Sequence, residues 1–181
     1  MRKSKRHIIL ASMVELIEDE GLTALTFDRV AERTGLTRGG LMYHFPTRDA
    51  LLSAMHEHMA SVWEAEMTSS LPEGADLLDP KVRAAAYTAG SLAATTRAEL
   101  LLMLESLDHP ELNRFWREVM DRWAPEEPAV GDAAALDRYI ARLASDGLWL
   151  NDAILPEPIS PDLKARIGQR LAELVGVAPK D

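Results

Sequence analysis

At 181 residues, 47% hydrophobic and 27% charged, the chain has the composition of an ordinary globular protein with enough apolar material for a sizeable core, which excludes a disordered one. It has no cysteine, so disulfides, thiolate zinc sites and cysteine nucleophiles are excluded. No stretch approaches the ~18 apolar residues of a membrane span, and a cytoplasmic protein with no membrane partner is expected. The net charge of −9 argues against nonspecific nucleic-acid binding by the whole surface, but the charge is uneven: residues 1–48 hold eight Lys/Arg against six Asp/Glu, and residues 49–181 hold twelve against twenty-three, so a mildly basic head precedes a strongly acidic body.

In chain order, every strong signal is helical. The start, MRKSKR, is basic like a secretory leader, but the apolar residues that follow alternate with Glu15, Glu18, Asp19 and Glu20, so a helix is expected and not a targeting segment. That helix covers 4–20, with Ser4 as its N-cap, Ile9, Met13, Leu16 and Ile17 on one face, and Gly21 as a left-handed C-terminal cap. Thr26 caps a short second helix, with Asp28 near the positive end of its dipole, Val30 and Ala31 facing inward and Gly35 ending it. Thr37 caps a third helix from Arg38 to about Phe45, which Pro46 stops by pushing the preceding residue out of the helical region. Thr47 opens a fourth, whose apolar stripe takes in Leu51, Leu52, Met55, Met59, Val62 and Trp63. After a break marked by Pro72, Gly74 and Pro80, helices are expected over 81–95, 96–107, 111–123, about 133–155 and 162 to about 175, closed by Gly176. No segment alternates as a strand does.

Two short helices joined by a tight Gly-containing turn, within 26–48, suggest a helix-turn-helix. In that motif the second helix enters the DNA major groove with its N-terminal residues against base edges. It needs small residues where the backbone approaches, hydroxyls and a cation for phosphates, and an apolar back face for docking. Thr37, Arg38, Gly39 and Gly40 supply the tip, Leu41 and Phe45 the docking face, and Tyr43 and His44 the groove side or its edge. Two glycines in the first turn of a short helix cost roughly 1 kcal/mol each against alanine, which a close approach explains better than a structural role does. The alternative is a plain helical hairpin carrying Gly-Gly.

The stretch LTFDRVAERTGLTRGGLMYHFPTRDALL resembles the N-terminal domain of the TetR family of bacterial transcriptional regulators. A first helix ending at Gly21, the Thr26-Phe27 entry, the Ala31, Gly35-Leu36-Thr37 turn, Gly39-x-Leu41 with Phe45, and Arg48-Asp49-Ala50-Leu51 fall in family order over about residues 5–60. The resemblance implies an all-α fold of about nine helices, with a three-helix DNA-binding domain at 1–48 and a helical ligand-binding and dimerisation domain at 49–181. It implies phosphate contacts from Thr26 and Arg48, backbone or base contacts from Thr37 and Arg38, close approach at Gly39 and Gly40, and base or phosphate contacts from Tyr43 and His44. The chain departs from the family at Met42, where tyrosine is usual, and at Gly40, which cannot read a base. The basic tail of Arg2, Lys3, Lys5 and Arg6 would track phosphates or stay solvated.

The resemblance further implies a ligand-responsive repressor, with a palindromic double-stranded DNA operator, a small apolar or aromatic effector and a homodimer as its partners. Tyr87, Met103, Phe115, Trp116, Met120, Trp123 and Trp149 are candidates for the effector pocket, although such stripes at helical spacing are more often core. Arg97, Glu105, His109 and Asn151 are polar candidates there. Leu136, Tyr139, Ile140, Leu143, Leu163, Ile167, Leu171 and Leu174 are candidates for an interface built from the last two helices of each copy. No cofactor, metal or catalysis is expected. His56 and His58 are two residues apart and do not share a helix face, and no Gly-rich phosphate loop follows a strand. A helical ligand-binding or interaction module that does not read DNA is the competing reading.

Overall fold

The computed structural model describes residues 5–93, 96–155, 157 and 159–177. Among them are nine α-helices, α1 Lys5–Glu20, α2 Phe27–Thr34, α3 Arg38–His44, α4 Arg48–Ser69, α5 Pro80–Ser91, α6 Arg97–Ser106, α7 Pro110–Trp123, α8 Ala133–Ile154 and α9 Pro161–Val175, with a 3-10 turn at Leu22–Ala24 and no strand. Local chemistry sets most of their ends. Hydroxyl or carboxylate caps accept backbone N–H bonds at α2 (Thr26 from Arg29, 3.3 Å), α3 (Thr37 from Gly40, 3.1 Å), α5 (Asp79 from Lys81, 2.8 Å), α6 (Thr96 from Glu99, 3.2 Å), α8 (Asp132 from Ala135, 2.9 Å) and α9 (Ser160 from Leu163, 3.3 Å). Gly35 and Gly176 close α2 and α9 in the left-handed conformation that glycine adopts without strain.

Two expectations shift. Gly21 has positive φ (84°) but ψ of 171°, so it leads into the 3-10 turn instead of forming a left-handed helical cap. The fifth helix ends at Ser91, short of residue 95, where Leu92 and Ala93 turn back by tightened i−3 bonds to Ala89 and Gly90. Ser4, the expected cap of α1, and Arg2 and Lys3 of the basic tail lie outside the described residues.

The chain packs as two units. The described residues of Met1–Ser61 and Thr96–Arg117 form one, and those of Val62–Thr95 and Glu118–Asp181 the other. In the first unit α1 packs against α2 and α6, and α2 against α3. Its buried side chains include Ile9, Met13, Leu16, Ile17, Val30, Leu41, Phe45, Leu51, Met55 and Leu102. Two polar ties add to this core. Arg33 on α2 reaches Asp19 (2.5 Å) and Glu15 (3.6 Å) on α1, and the Glu18 carboxylate accepts from the Ala98 amide at the start of α6 (2.6 Å), where the helix dipole favours an anion.

In the second unit α5, α8 and α9 pack together around Ala84, Ala141, Leu171 and Val175, with Ala85, Ile167 and Leu174 against that cluster. The small residues allow close approach there, and Gly90 of α5 does the same against α4: a Cβ at this position would stand 2.6 Å from Met67 Cγ and 3.4 Å from the Met67 amide nitrogen. Gly90→Ala is therefore expected to lower stability by about 1–3 kcal/mol, as overpacking does, on urea denaturation. Gly168→Ala, whose new Cβ would meet only the movable tip of Leu92, is expected to cost less, because the helix propensity of alanine offsets the contact.

Candidate nucleic-acid interface

The head is organised by the back face of α3. Leu41 and Phe45 are buried, which orients the rest of this seven-residue helix outward. Arg38 and Gly39 are exposed at its tip, with Gly40 half-buried behind them. A Cβ at Gly39 would meet nothing within 4 Å, so the chain's own packing does not require glycine there. At Gly40 the nearest obstacle is the Thr37 hydroxyl at 3.2 Å, the same oxygen that caps α3. Further along, Tyr43 is 84% exposed, with its ring edge-on to His44 (5.2 Å between centroids), and Met42 is 43% exposed beside it. Thr26, at the N-terminus of α2, and Arg48, at the N-terminus of α4, are exposed. Helix N-termini of this kind present free amides to anions.

All eight residues assigned to DNA contact therefore belong to the first unit; Thr26, Thr37, Arg38, Gly39, Tyr43 and Arg48 are exposed, and Gly40 and His44 are half-exposed. Of the basic tail, Arg6 is held in place. Arg6 lies over the Phe45 ring (5.3 Å) and pairs with Glu57 (3.5 Å). Arg38 is also held: its Nη1 donates to both carboxylate oxygens of Asp28, at 2.8 and 3.1 Å.

The seven pocket candidates are divided between the two units. Met103, Phe115 and Trp116 fall in the first; Tyr87, Met120, Trp123 and Trp149 fall in the second. In the second unit the buried Tyr87 donates to Asp146 (2.5 Å) and touches Met120 sulfur (3.6 Å), with the Trp63 ring edge-on at 5.8 Å. Burial pushes the Tyr87 phenol well above its usual range and raises the Asp146 carboxyl. Trp123 donates to Glu64 (2.8 Å) and lines an open cleft of about 300 Å³ with Pro80, Arg83, Pro125 and Arg138.

The eight interface candidates also divide. Leu136, Ile140, Leu143 and Leu163 are exposed, and Tyr139 is half-buried with Arg142 over its ring. Leu171 is core, and Ile167 and Leu174 pack against that core. Gly147, Leu150 and Ile154, which the sequence pattern did not single out, continue the line of Leu136, Ile140 and Leu143 at spacings of 4, 3, 4, 3 and 4 along α8, and all six are exposed.

A second omission lies in the first unit. His56 has no exposed surface. Its Nδ1 accepts from the Trp116 indole N–H (3.0 Å), and its Nε2 faces Glu105 (2.9 Å). Trp116 and Glu105, read from sequence as ligand groups, are thus joined to α4 through an internal histidine. Position 56 falls on the same helical stripe as Leu52, Met55 and Met59, so the spacing carried the signal. Arg97, another polar candidate, reaches the Glu18 carbonyl (3.5 Å). Among the described residues no three His, Asp or Glu side chains are grouped to hold a metal, and no helix is long and apolar enough to cross a membrane.

Two family models match the chain. "Bacterial regulatory proteins, tetR family" covers residues 9–55, and "Tetracyclin repressor-like, C-terminal domain" covers 81–176. The HTH-type transcriptional regulator BetI of Paraburkholderia phytofirmans is 26% identical over 189 residues, covering 97% of this chain and 95% of that protein. The BetI of Burkholderia mallei is 28% identical over 180 residues, at 92% and 90% coverage. The fold is similar to the crystal structure of a putative TetR-family transcriptional regulator from Rhodococcus sp. (TM-score 0.67, 17% identity, 94% of this chain and 96% of that one). It is also similar to the multidrug binding protein EbrR complexed with ethidium (TM-score 0.59, 20% identity, 96% and 100%).

Proposed function

Because this chain belongs to the TetR family, and is therefore a DNA-binding transcriptional regulator and not an enzyme, we propose that it acts as a homodimeric repressor of a palindromic operator, released by a small apolar or aromatic molecule. The observation that carries the reading is the build of α3. A seven-residue helix docked by Leu41 and Phe45 presents Arg38, Gly39, Tyr43 and His44 outward, with an unobstructed glycine at the point of closest approach. The division of the chain into domains at 1–48 and 49–181 follows the two functions proposed, with the packed first unit extending beyond the DNA-contacting segment. The α8 stripe supports pairing: six surface positions at 4-3 spacing are what a second helix needs for knobs-into-holes contact. Half-sites one helical turn apart, ~34–36 Å, would match a two-fold dimer. Tyr87, Met120, Trp123 and Trp149 are the effector candidates retained, because they share the second unit.

The test is selection of duplexes from a random pool with the full-length protein, followed by titration at several salt concentrations. One or a few related inverted repeats should emerge, and Arg38→Ala and His44→Ala should weaken binding to them. Gly39→Ala separates function from folding. It is expected to stabilise the free protein by up to ~1 kcal/mol, the propensity gain of alanine at an unobstructed helical site, while weakening operator binding. A chain that shows no preference for any duplex over random DNA at physiological salt rules this reading out.

A further inference from the structure

We propose that Asp28 is a specificity-determining positioning residue: it holds Arg38 through Nη1 alone, leaving the Nε–Nη2 edge of the guanidinium to read a guanine and keeping that charge off the phosphate backbone. The proposal rests on the reading of α3 as the helix that enters the major groove.

Arg38 is the one long side chain at the tip of α3, since Gly39 and Gly40 follow it. What it contacts therefore weighs heavily in sequence choice. An arginine has two edges that present a pair of parallel N–H groups, and a guanine needs one such pair for O6 and N7. Both oxygens of Asp28 converge on Nη1, at 2.8 and 3.1 Å, which engages that nitrogen and leaves the side edge formed by Nε and Nη2 without a bond to Asp28. Asp28 is anchored in turn, in the first turn of α2, where the helix dipole stabilises a carboxylate. The Phe27 ring lies 5.9 Å from the guanidinium carbon and adds a second constraint.

The pair is exposed on both sides, 60% for Arg38 and 76% for Asp28. Exposed ion pairs contribute little to stability, so its effect belongs to binding. A free arginine at a helix tip is drawn to any phosphate. A carboxylate beside it repels phosphates on every sequence, and only a guanine edge restores the lost attraction. Discrimination then comes from penalising the wrong duplexes as much as from rewarding the right one.

The experiment uses the full chain and the duplexes selected by wild-type protein, with Asp28→Asn, Arg38→Lys, the double variant and Asp121→Asn as a remote control for charge. The selected sites should contain a guanine at one position per half-site. Asp28→Asn should bind random duplex more tightly, with a salt dependence steeper by about one counterion per head. Its preference for that guanine should fall roughly 10-fold or more. Arg38→Lys, which keeps the charge and loses the fork, should lose the same preference, and the double variant should lose no more than either alone. Circular dichroism melts of each variant should match wild type.

If Asp28→Asn changes operator and random duplex by the same factor, or changes neither, Asp28 has no part in specificity and the proposal fails while the α3 reading stands. A wild-type chain that enriches no duplex overturns both.

Discussion

Replacing His56 with alanine is expected to lower the stability of the folded chain by about 2–4 kcal/mol, the combined cost of a cavity and of an indole N–H left without an acceptor. The imidazole has no exposed surface, and Trp116, which donates to its Nδ1, is itself buried. With Nδ1 accepting, the ring's own proton sits on Nε2 and is donated to Glu105. A second proton would have to enter at Nδ1, against the Trp116 donor. Burial holds the His56 pKa below the ordinary imidazole value, with His109 contributing in the same direction and Glu105 opposing. Because the folded pKa is the lower one, the unfolded chain binds more protons in the window below about pH 6.5, and stability is lost as pH falls through it. His58, lowered by burial and by His7, adds a loss of the same sign, and Asp146, raised by burial, works the other way. The decisive measurement is therefore the difference between wild type and His56→Asn in urea midpoints from pH 7.5 to 5. The asparagine variant should start less stable and lose less on acidification. Equal slopes would remove His56 from the pH response.

Leu143→Glu, alone or with Ile140→Glu, is expected to convert the proposed homodimer into monomers and to weaken operator binding by about 100-fold or more, since linked half-site binding gains about that much from effective concentration. Both side chains are already in water, 54% and 44% exposed, so the single copy should fold with nearly unchanged stability. Leu171→Ala is the control from the opposite side of the same pair of helices. It should cost about 2–5 kcal/mol by leaving a cavity in the cluster with Ala84, Ala141 and Val175, without changing the mass of the folded species. Analytical ultracentrifugation reads the first effect and denaturation the second. A Leu143→Glu protein that sediments as wild type and binds its operator as before would move the interface elsewhere.

The parts of the fold legible in the sequence were those written locally. Thr26, Thr37 and Thr47 each cap the helix expected of them, because a hydroxyl three residues from a free amide needs no information from the rest of the chain. The outward face of α3 was legible for the same reason: Leu41 and Phe45 at i and i+4 leave the other side to solvent. Tertiary partners were not legible. In sequence Asp28 reads as a dipole residue, and its bond to Arg38, ten positions on, depends on how the α2–α3 turn brings two helix starts together. In sequence His56 reads only as half of an implausible metal pair, because its partners come from α6 and α7, 49 and 60 residues later. Among the aromatics, burial alone separates Trp116 from an exposed face, and periodicity cannot separate a core residue from a pocket wall.

The 4-3 spacing along α8 sets a limit on the proposed dimer. A stripe repeating every seven residues drifts by about 20° per heptad on a straight helix, so about 50° accumulates between Leu136 and Ile154. Two straight copies of α8 cannot stay in register from end to end. In the proposed dimer they would touch best near the middle of the stripe, at Gly147, where a Cβ would meet nothing within 4 Å in the single copy and its absence would let two backbones come closest. Such a dimer would behave less like a zipper than like a pair of shears pivoting on one glycine.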